Sequence, residues 1–167
     1  MVKRSFLLSV LPLAAMVFAY TAQAGPEIKL PEPDKQGSVS VEEAIQGRRS
    51  VRSFSEKPLT VGQVSQVLWA AGGKTVNGVT GPTRAYPSAG GLYPLQIYLV
   101  AGEVEGLEPG IYRYDWKKNS LTPVRPGDHR KQLASASWGQ DMIGRAPVSL
   151  VITSRNDRVL QRYGQRG

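Results

Sequence analysis

The chain has 167 residues, with 21 Lys and Arg against 13 Asp and Glu, a single His and no Cys. The absence of Cys excludes disulfides, thiolate nucleophiles, Cys-ligated zinc and iron–sulfur clusters. A single His argues against a histidine-rich metal site. Leu, Ile, Val and Phe make up about a quarter of the residues, which is enough for a hydrophobic core. The length suits one domain.

The first 24 residues have the pattern of a secretory signal peptide. Lys3 and Arg4 precede the apolar run 6–19, and the sequence Ala-Gln-Ala follows at 22–24. The run is shorter than the ~20 apolar residues of a membrane span, and an uncleaved N-terminal anchor is the alternative. We predict cleavage after Ala24, export to the periplasm or the medium, and no stable membrane insertion after cleavage.

Cleavage after Ala24 would remove Lys3 and Arg4 and lower the net charge from +8 to +6, and a charge of this size invites a nucleic-acid partner. However, the basic residues are scattered, apart from a run at 48–52 and a looser Arg-rich C-terminus. A dispersed positive surface is usually solvated. We therefore predict that the chain does not bind nucleic acid.

The first part of the mature chain predicts a linker and two helices. Residues 25–38 contain three prolines and little periodicity, which favours an extended linker before a domain over 39–167. Two capping boxes each precede apolar residues at helical spacing. We expect the first helix to end near Gly47 and the second at Gly72-Gly73. The capping boxes are Ser40 with Glu43 and Thr60 with Gln63.

The rest of the chain alternates predicted strands and helices. Residues 74–94 are rich in Gly and Pro and predict a loop, and loops of this length are often functional. The further predictions are a strand at 95–100, a hairpin of 110–116 with 120–124, a helix capped by Asp128 that continues to about Ser137, a buried strand at 146–153 and the start of a helix at 155–163. This order of elements is typical of a mixed α+β sandwich.

A basic segment follows the first helix and is a candidate phosphate site. Side chains alternate along extended chain, so Arg48, Ser50 and Arg52 can share one side, while Arg49 lies less strictly on the other. Guanidinium groups match phosphate oxygens with paired donors. The alternative is a solvated basic turn between a helix and a strand.

The predicted loop contains a second candidate site. Small residues at 88–91 allow a flat ring to approach the main chain, whose amide groups are donors. Pro87 and Pro94 flank these residues and limit the loop's conformational freedom. The alternative is a structural loop that only leads into the strand at Leu95.

Together these motifs resemble the nitroreductase family of flavin enzymes, in particular its SagB-type, thiazole/oxazole dehydrogenase-like branch. The resemblance covers residues 41–167 and implies an α+β fold, a nitroreductase-like sandwich with a mostly antiparallel central sheet flanked by helices. The motifs are Arg-Arg-Ser-x-Arg-x-Phe at 48–54, Leu-Trp-Ala-Ala-Gly-Gly at 68–73, Arg-x-x-Pro-Ser-Ala-Gly-x-Leu-Tyr-Pro-Leu at 84–95 and Gly-Ile-Tyr-Arg-Tyr at 110–114.

The resemblance implies an FMN-dependent oxidoreductase that transfers hydride through flavin N5, from NAD(P)H or a substrate to an acceptor. It assigns neither a catalytic side chain nor a metal. It implies a small-molecule or peptide substrate and a homodimer. Residues implied for the FMN phosphate and ribityl chain are Arg48, Arg49, Ser50 and Arg52. Residues implied for the flavin ring are Pro87, Ser88, Ala89, Gly90 and Leu92, with Arg84 as a further cofactor-binding residue whose role is less defined.

Family members continue beyond the segment that corresponds to residues 161–167. The resemblance therefore implies a domain that is incomplete at its C-terminus, with the strand at 148–153 uncovered on one face. A second chain that supplies the missing part is one alternative. Another is a truncated, non-catalytic remnant or anion- or nucleotide-binding module on the same scaffold.

Overall fold

The computed structural model describes residues 25–78 and 81–166. The predicted signal peptide at 1–24 lies outside the described residues. The helices are α1 (Val41–Gly47), α2 (Val61–Gly72), α3 (Arg130–Ala136), α4 (Asp141–Arg145) and α5 (Asp157–Tyr163). The strands are β1 (Ile28–Lys29), β2 (Leu59–Thr60), β3 (Lys74–Gly78), β4 (Gly81–Arg84), β5 (Leu95–Ala101), β6 (Val104–Glu105), β7 (Gly110–Asp115), β8 (Ser120–Pro126) and β9 (Val148–Ser154).

Five strands form the main sheet in the order β1-β8-β7-β5-β9, and all neighbouring pairs in it are antiparallel. This confirms the predicted α+β class with a mostly antiparallel central sheet. β5 pairs with β9 along its whole length. Its pairing with β7 begins only where Tyr98 lies opposite Arg113. Beyond that point, toward Leu95 and Asp115, the two strands are no longer paired and diverge.

The hydrophobic core lies between α2 and the sheet. Val64 and Leu68 of α2 are at most 1% exposed, and they belong to one cluster with Ile97 and Leu99 of β5 and Tyr112 of β7. Within the described ranges, no helix is long and apolar enough to span a bilayer.

Both predicted capping boxes are present. The Ser40 hydroxyl accepts from the Glu43 amide in α1, and the Thr60 hydroxyl accepts from the Gln63 amide in α2. Both helices end at the predicted glycines. The predicted β7–β8 hairpin and the helix α5 also form, as does α3, whose N-cap is His129 rather than the predicted Asp128.

Residues 25–38, predicted as an extended linker, are extended, but part of this segment pairs with β8 and packs against α2. Ile28 and Lys29 form the edge strand β1 on β8, and Leu30 is 3% exposed. The Ser65 hydroxyl on α2 donates to the Pro31 carbonyl. Prolines restrict the backbone without preventing edge pairing, so composition alone does not distinguish a free linker from a packed strand.

The prediction of a loop throughout 74–94 is wrong for its first half. β3 and β4 form an antiparallel pair, with Asn77 opposite Pro82. The Thr75 and Thr83 hydroxyls lie 2.9 Å apart across it. Gly and Pro at a strand edge gave this segment a loop-like composition.

The strand β9 forms as predicted but is not buried throughout. Its last three residues are exposed, and 54% of the surface of Ile152 is accessible to solvent. The apolar run indicated a strand covered on both faces, whereas β9 lies at the edge of the sheet. The helix α4 was not predicted.

Candidate functional site

The loop between β4 and β5 presents its main chain to solvent. It contains a 3-10 turn at Ala89–Gly91, in which Gly90 and Gly91 have φ angles of +59° and +64°. The Ser88 hydroxyl accepts from the Tyr93 amide at 2.9 Å and closes the turn. A Cβ atom added to Gly91 would meet nothing within 4 Å. A flat ligand can therefore approach the backbone here, as glycine permits.

Helix α5 places two side chains against this turn. A Cβ atom on Gly90 would lie 2.5 Å from the Tyr163 hydroxyl and 3.3 Å from Arg162 Nε. Neither residue was predicted for the site, because more than seventy positions separate them from the loop and no local pattern indicates the contact. The Tyr163 phenol and the Arg162 guanidinium therefore lie beside the turn, and each can donate a hydrogen bond.

Arg84 lies beneath the loop rather than on its surface. The side chain is buried, with the whole residue 6% exposed. Its Nε donates to the Gly72 carbonyl at 2.6 Å, and its Nη1 donates to the Leu95 carbonyl at 2.8 Å. Gly72 is the last residue of α2 and Leu95 is the first of β5, so Arg84 joins the two elements. Burial lowers the pKa of the Arg84 guanidinium, which nevertheless stays charged at neutral pH.

Aromatic rings surround the Arg84 guanidinium. Its Cζ lies 4.7 Å from the centroid of Tyr86 and 5.1 Å from that of Trp116. Tyr93, with an unusual φ of +46°, packs edge-on against Tyr86 and at a tilt against Trp116. Burial raises the pKa of the Tyr86 hydroxyl, which has no hydrogen-bond partner in the described part of the chain. Burial also raises the pKa of Tyr114 to about 12.

The basic segment lies in irregular chain between α1 and β2. Arg48, Arg49, Ser50 and Arg52 are all exposed. Across residues 25–78 and 81–166, no carboxylate forms an ion pair with any of these three arginines. None of the hydrogen bonds described for this segment reaches the loop at 85–94. Its first end is held within α1, where Arg48 N donates to Ile45 O, and its far end is held at β2, where Leu59 N donates to Glu103 O.

The predicted residues therefore fall into two groups that the described contacts do not join. The loop residues Pro87, Ser88, Ala89, Gly90 and Leu92 lie in one short segment and are exposed or half-buried. The arginine segment leaves its guanidinium groups free in solvent. The described residues contain no group of three or more carboxylate or imidazole side chains placed to hold a metal ion.

Several known proteins are similar to this chain. MJ1384 of Methanocaldococcus jannaschii, whose name assigns it to the nitroreductases, is 35% identical over 141 residues, which cover 84% of this chain and 68% of that protein. A crystal structure from Ralstonia eutropha, also titled as a nitroreductase, is 33% identical with a TM-score of 0.66. The match covers 84% of this chain and 60% of that one.

A more distant structure shares the fold. The Escherichia coli microcin synthetase complex McbBCD, solved with truncated pro-MccB17 bound, gives a TM-score of 0.54 at 22% identity. That match covers 96% of this chain and 62% of the other. The sequence pattern described as the Nitroreductase family matches residues 45–167. Because this match spans most of the chain and includes both the arginine segment and the glycine turn, the chain belongs to the nitroreductase family.

Proposed function

We propose that this chain is an FMN-dependent oxidoreductase of the SagB type, exported from the cytoplasm and active as a homodimer. One observation carries the proposal: an exposed glycine turn lies in a loop that follows the buried Arg84, which bonds to Gly72 and Leu95, and Arg162 and Tyr163 lie beside that turn. The nitroreductase family generally binds FMN, and this turn offers main-chain amides to a flat ring.

The residues present fit the two ends of FMN. Arg48, Arg49 and Arg52 are exposed and free of carboxylate partners in the described ranges, which suits them to a phosphate dianion. Ser50 adds a hydroxyl for the phosphate or the ribityl chain. Pro87, Ser88, Ala89, Gly90 and Leu92 would lie along the ring.

Arg84 takes a different part in the proposal from the residues above it. Its Nε and Nη1 are used by two carbonyl groups, so it would hold the loop in place rather than bind the flavin directly. Arg162 and Tyr163 would place positive charge and a hydroxyl donor beside the ring. Bound FMN would supply hydride transfer at N5, with NAD(P)H or a substrate as donor and a small molecule or peptide as acceptor.

The exposed apolar residues around α1 support the proposed dimer. α1 has no buried residue, and large hydrophobic side chains are exposed on it and on the segment after it. Clusters of this kind mark interaction surfaces. In the proposal a second copy of the chain covers them and brings the arginine segment to a flavin site. These side chains are Val39, Val41, Ile45, Val51 and Phe54.

The first experiment is a titration of the purified protein with FMN, followed by absorbance and by quenching of flavin fluorescence. We expect bound, yellow flavin. The double variant R48Q/R52Q should bind FMN about 100-fold more weakly, because two charge-assisted phosphate contacts are lost. R125Q is the matched control, since Arg125 is an exposed arginine on β8, and it should bind as the unmodified protein does. Failure to take up flavin would refute the proposal.

A second function is favoured by the missing contacts between the two groups of residues. The chain would then be a non-catalytic anion- or nucleotide-binding module. This module would bind FMN or a nucleotide without oxidation of NAD(P)H by any acceptor, whereas the oxidoreductase consumes NAD(P)H when quinone or nitroaromatic acceptors are added.

Cell fractionation tests the proposed export, which is contradicted if the full-length chain stays in the cytoplasm.

A further inference from the structure

A cavity of about 360 Å³ opens beside the loop, where β5 and β7 diverge. Arg84 forms part of its wall, together with Tyr93, Tyr114 and Trp116. Five cationic side chains and two carboxylates line it in total: Arg84, Arg113, Lys117, Arg155 and Arg158, with Asp115 and Asp157. The volume lies in the range of small-molecule sites.

The two carboxylates are already engaged. Asp157 pairs with Arg155 at 3.3 Å. Asp115 Oδ1 accepts from the amides of Lys117 and Lys118 and so fixes the turn of the β7–β8 hairpin. No carboxylate within 25–78 or 81–166 pairs with the other four cations, Arg84, Arg113, Lys117 and Arg158. With five cations against two carboxylates, the lining of the cavity carries a net positive charge.

Trp116 forms cation–π contacts with two of these cations. The Arg84 Cζ and the Lys117 Nζ lie 5.1 Å and 5.6 Å from its ring centroid. Because Arg84 is buried and bonded only to carbonyl groups, its charge is weakly screened by water, and its attraction for an anion in the cavity is strengthened.

A neighbouring cavity shows that basic residues alone do not make such a site. It lies beyond the wall formed by Tyr114, Trp116 and Lys117 and has about 370 Å³. Its other lysines, Lys29, Lys35, Lys74 and Lys118, are exposed, and Lys118 already pairs with Glu27. No buried cation lines this second cavity among the described residues, so its lysines are accounted for by solvation.

We propose that the cavity between β5 and β7 binds a compact anion with two or more negative charges, a phosphate monoester or a small polycarboxylate. Arg84 would attract the anion through its charge in the buried wall, and Arg113, Lys117 and Arg158 would enclose it from the solvent side. This site is separate from the flavin phosphate site proposed at Arg48 and Arg52, and it does not depend on flavin binding.

The test uses inorganic phosphate and citrate as probes, at constant ionic strength, with calorimetry as the readout. Saturable binding is expected for both. R113Q and R158Q should each weaken it about tenfold, because each removes one charge-assisted contact. Both residues are exposed, so folding should be preserved. K74Q removes one charge from the neighbouring cavity and should leave binding unchanged.

Three outcomes would overturn the proposal. They are no saturable binding, equal weakening by K74Q, and loss of phosphate binding in R48Q/R52Q but not in R113Q, which would move the anion to the flavin segment. Failure of FMN binding, with phosphate and citrate binding intact, would contradict only the proposed function and would leave this site in place.

Discussion

The helices α1 and α2 begin with the same capping box, yet they differ in what they contact. α2 buries Val64, Ser65 and Leu68 against the sheet, while α1 buries no residue at all. Each is followed by a predicted ligand-binding element. The arginine segment after α1 is exposed, whereas the glycine turn that lies beyond α2 and the β3–β4 pair is tied to the core through Arg84.

The difference shows that local signals specify helices without specifying where they pack. A capping box satisfies orphan amides within its own helix, so it works equally well on an exposed helix and a buried one. Whether the ligand-binding segment that follows a helix is fixed to the core depends instead on contacts between residues that are far apart in the sequence. Variants in the two regions should therefore affect different properties.

The largest effect is expected for the anchor of the loop. R84L should lower the free energy of unfolding by about 3 kcal/mol, because the carbonyls of Gly72 and Leu95 lose charged donors in a buried site. R52Q, in the exposed segment, should change it by less than about 0.5 kcal/mol. Urea unfolding measures both. Similar values for the two variants would remove the distinction between the regions.

A smaller effect is expected within the glycine turn. Both G90A and G91A place a side chain at positive φ, which costs about 1 kcal/mol. G90A must also displace the Tyr163 hydroxyl, since its Cβ would lie 2.5 Å away. We expect a total of about 2 kcal/mol for G90A and only the backbone cost for G91A. Equal losses in urea unfolding would show that α5 does not rest on the turn.

The smallest predicted loss of stability comes from removing a capping hydroxyl, which can be done separately in α1 and α2. T60A should lower global stability by about 1 kcal/mol, since α2 forms part of the core. S40A should leave the unfolding midpoint unchanged, because α1 contributes no buried residue. Its effect should be local, as faster hydrogen exchange of the α1 amides. A global loss from S40A as large as that from T60A would mean that α1 packs in solution.

Much of the fold could be predicted because its signals are local. The capping residues Ser40 and Thr60 and the alternation in β7 depend on neighbours within a few positions. The β3–β4 pair was missed because its evidence is a contact between Thr75 and Thr83, in a segment whose Gly and Pro content is typical of loops.

The chemistry of the site stays a prediction: the sequence indicates an anion-binding arginine segment and a turn that accepts a ring. The arrangement of these residues could not be predicted. The sequence could not indicate that Arg84 is buried, because basic residues are normally exposed and its acceptors Gly72 and Leu95 lie 12 and 11 positions away. The approach of Tyr163 to Gly90 depends on the pairing of β9 with β5, which brings α5 to that end of the sheet.

The pairing of β1 with β8 would set the timing of the proposed signal-peptide cleavage. If the leader is removed after Ala24, only Gly25, Pro26 and Glu27 separate the scissile bond from the first paired residue, Ile28. The Glu27 carboxylate already accepts from Ser120 and pairs with Lys118. A peptidase needs extended chain on both sides of the bond it cleaves, so processing would have to come before the sheet edge closes. Afterwards the new amino terminus would be shielded from exopeptidases by the same ladder of bonds.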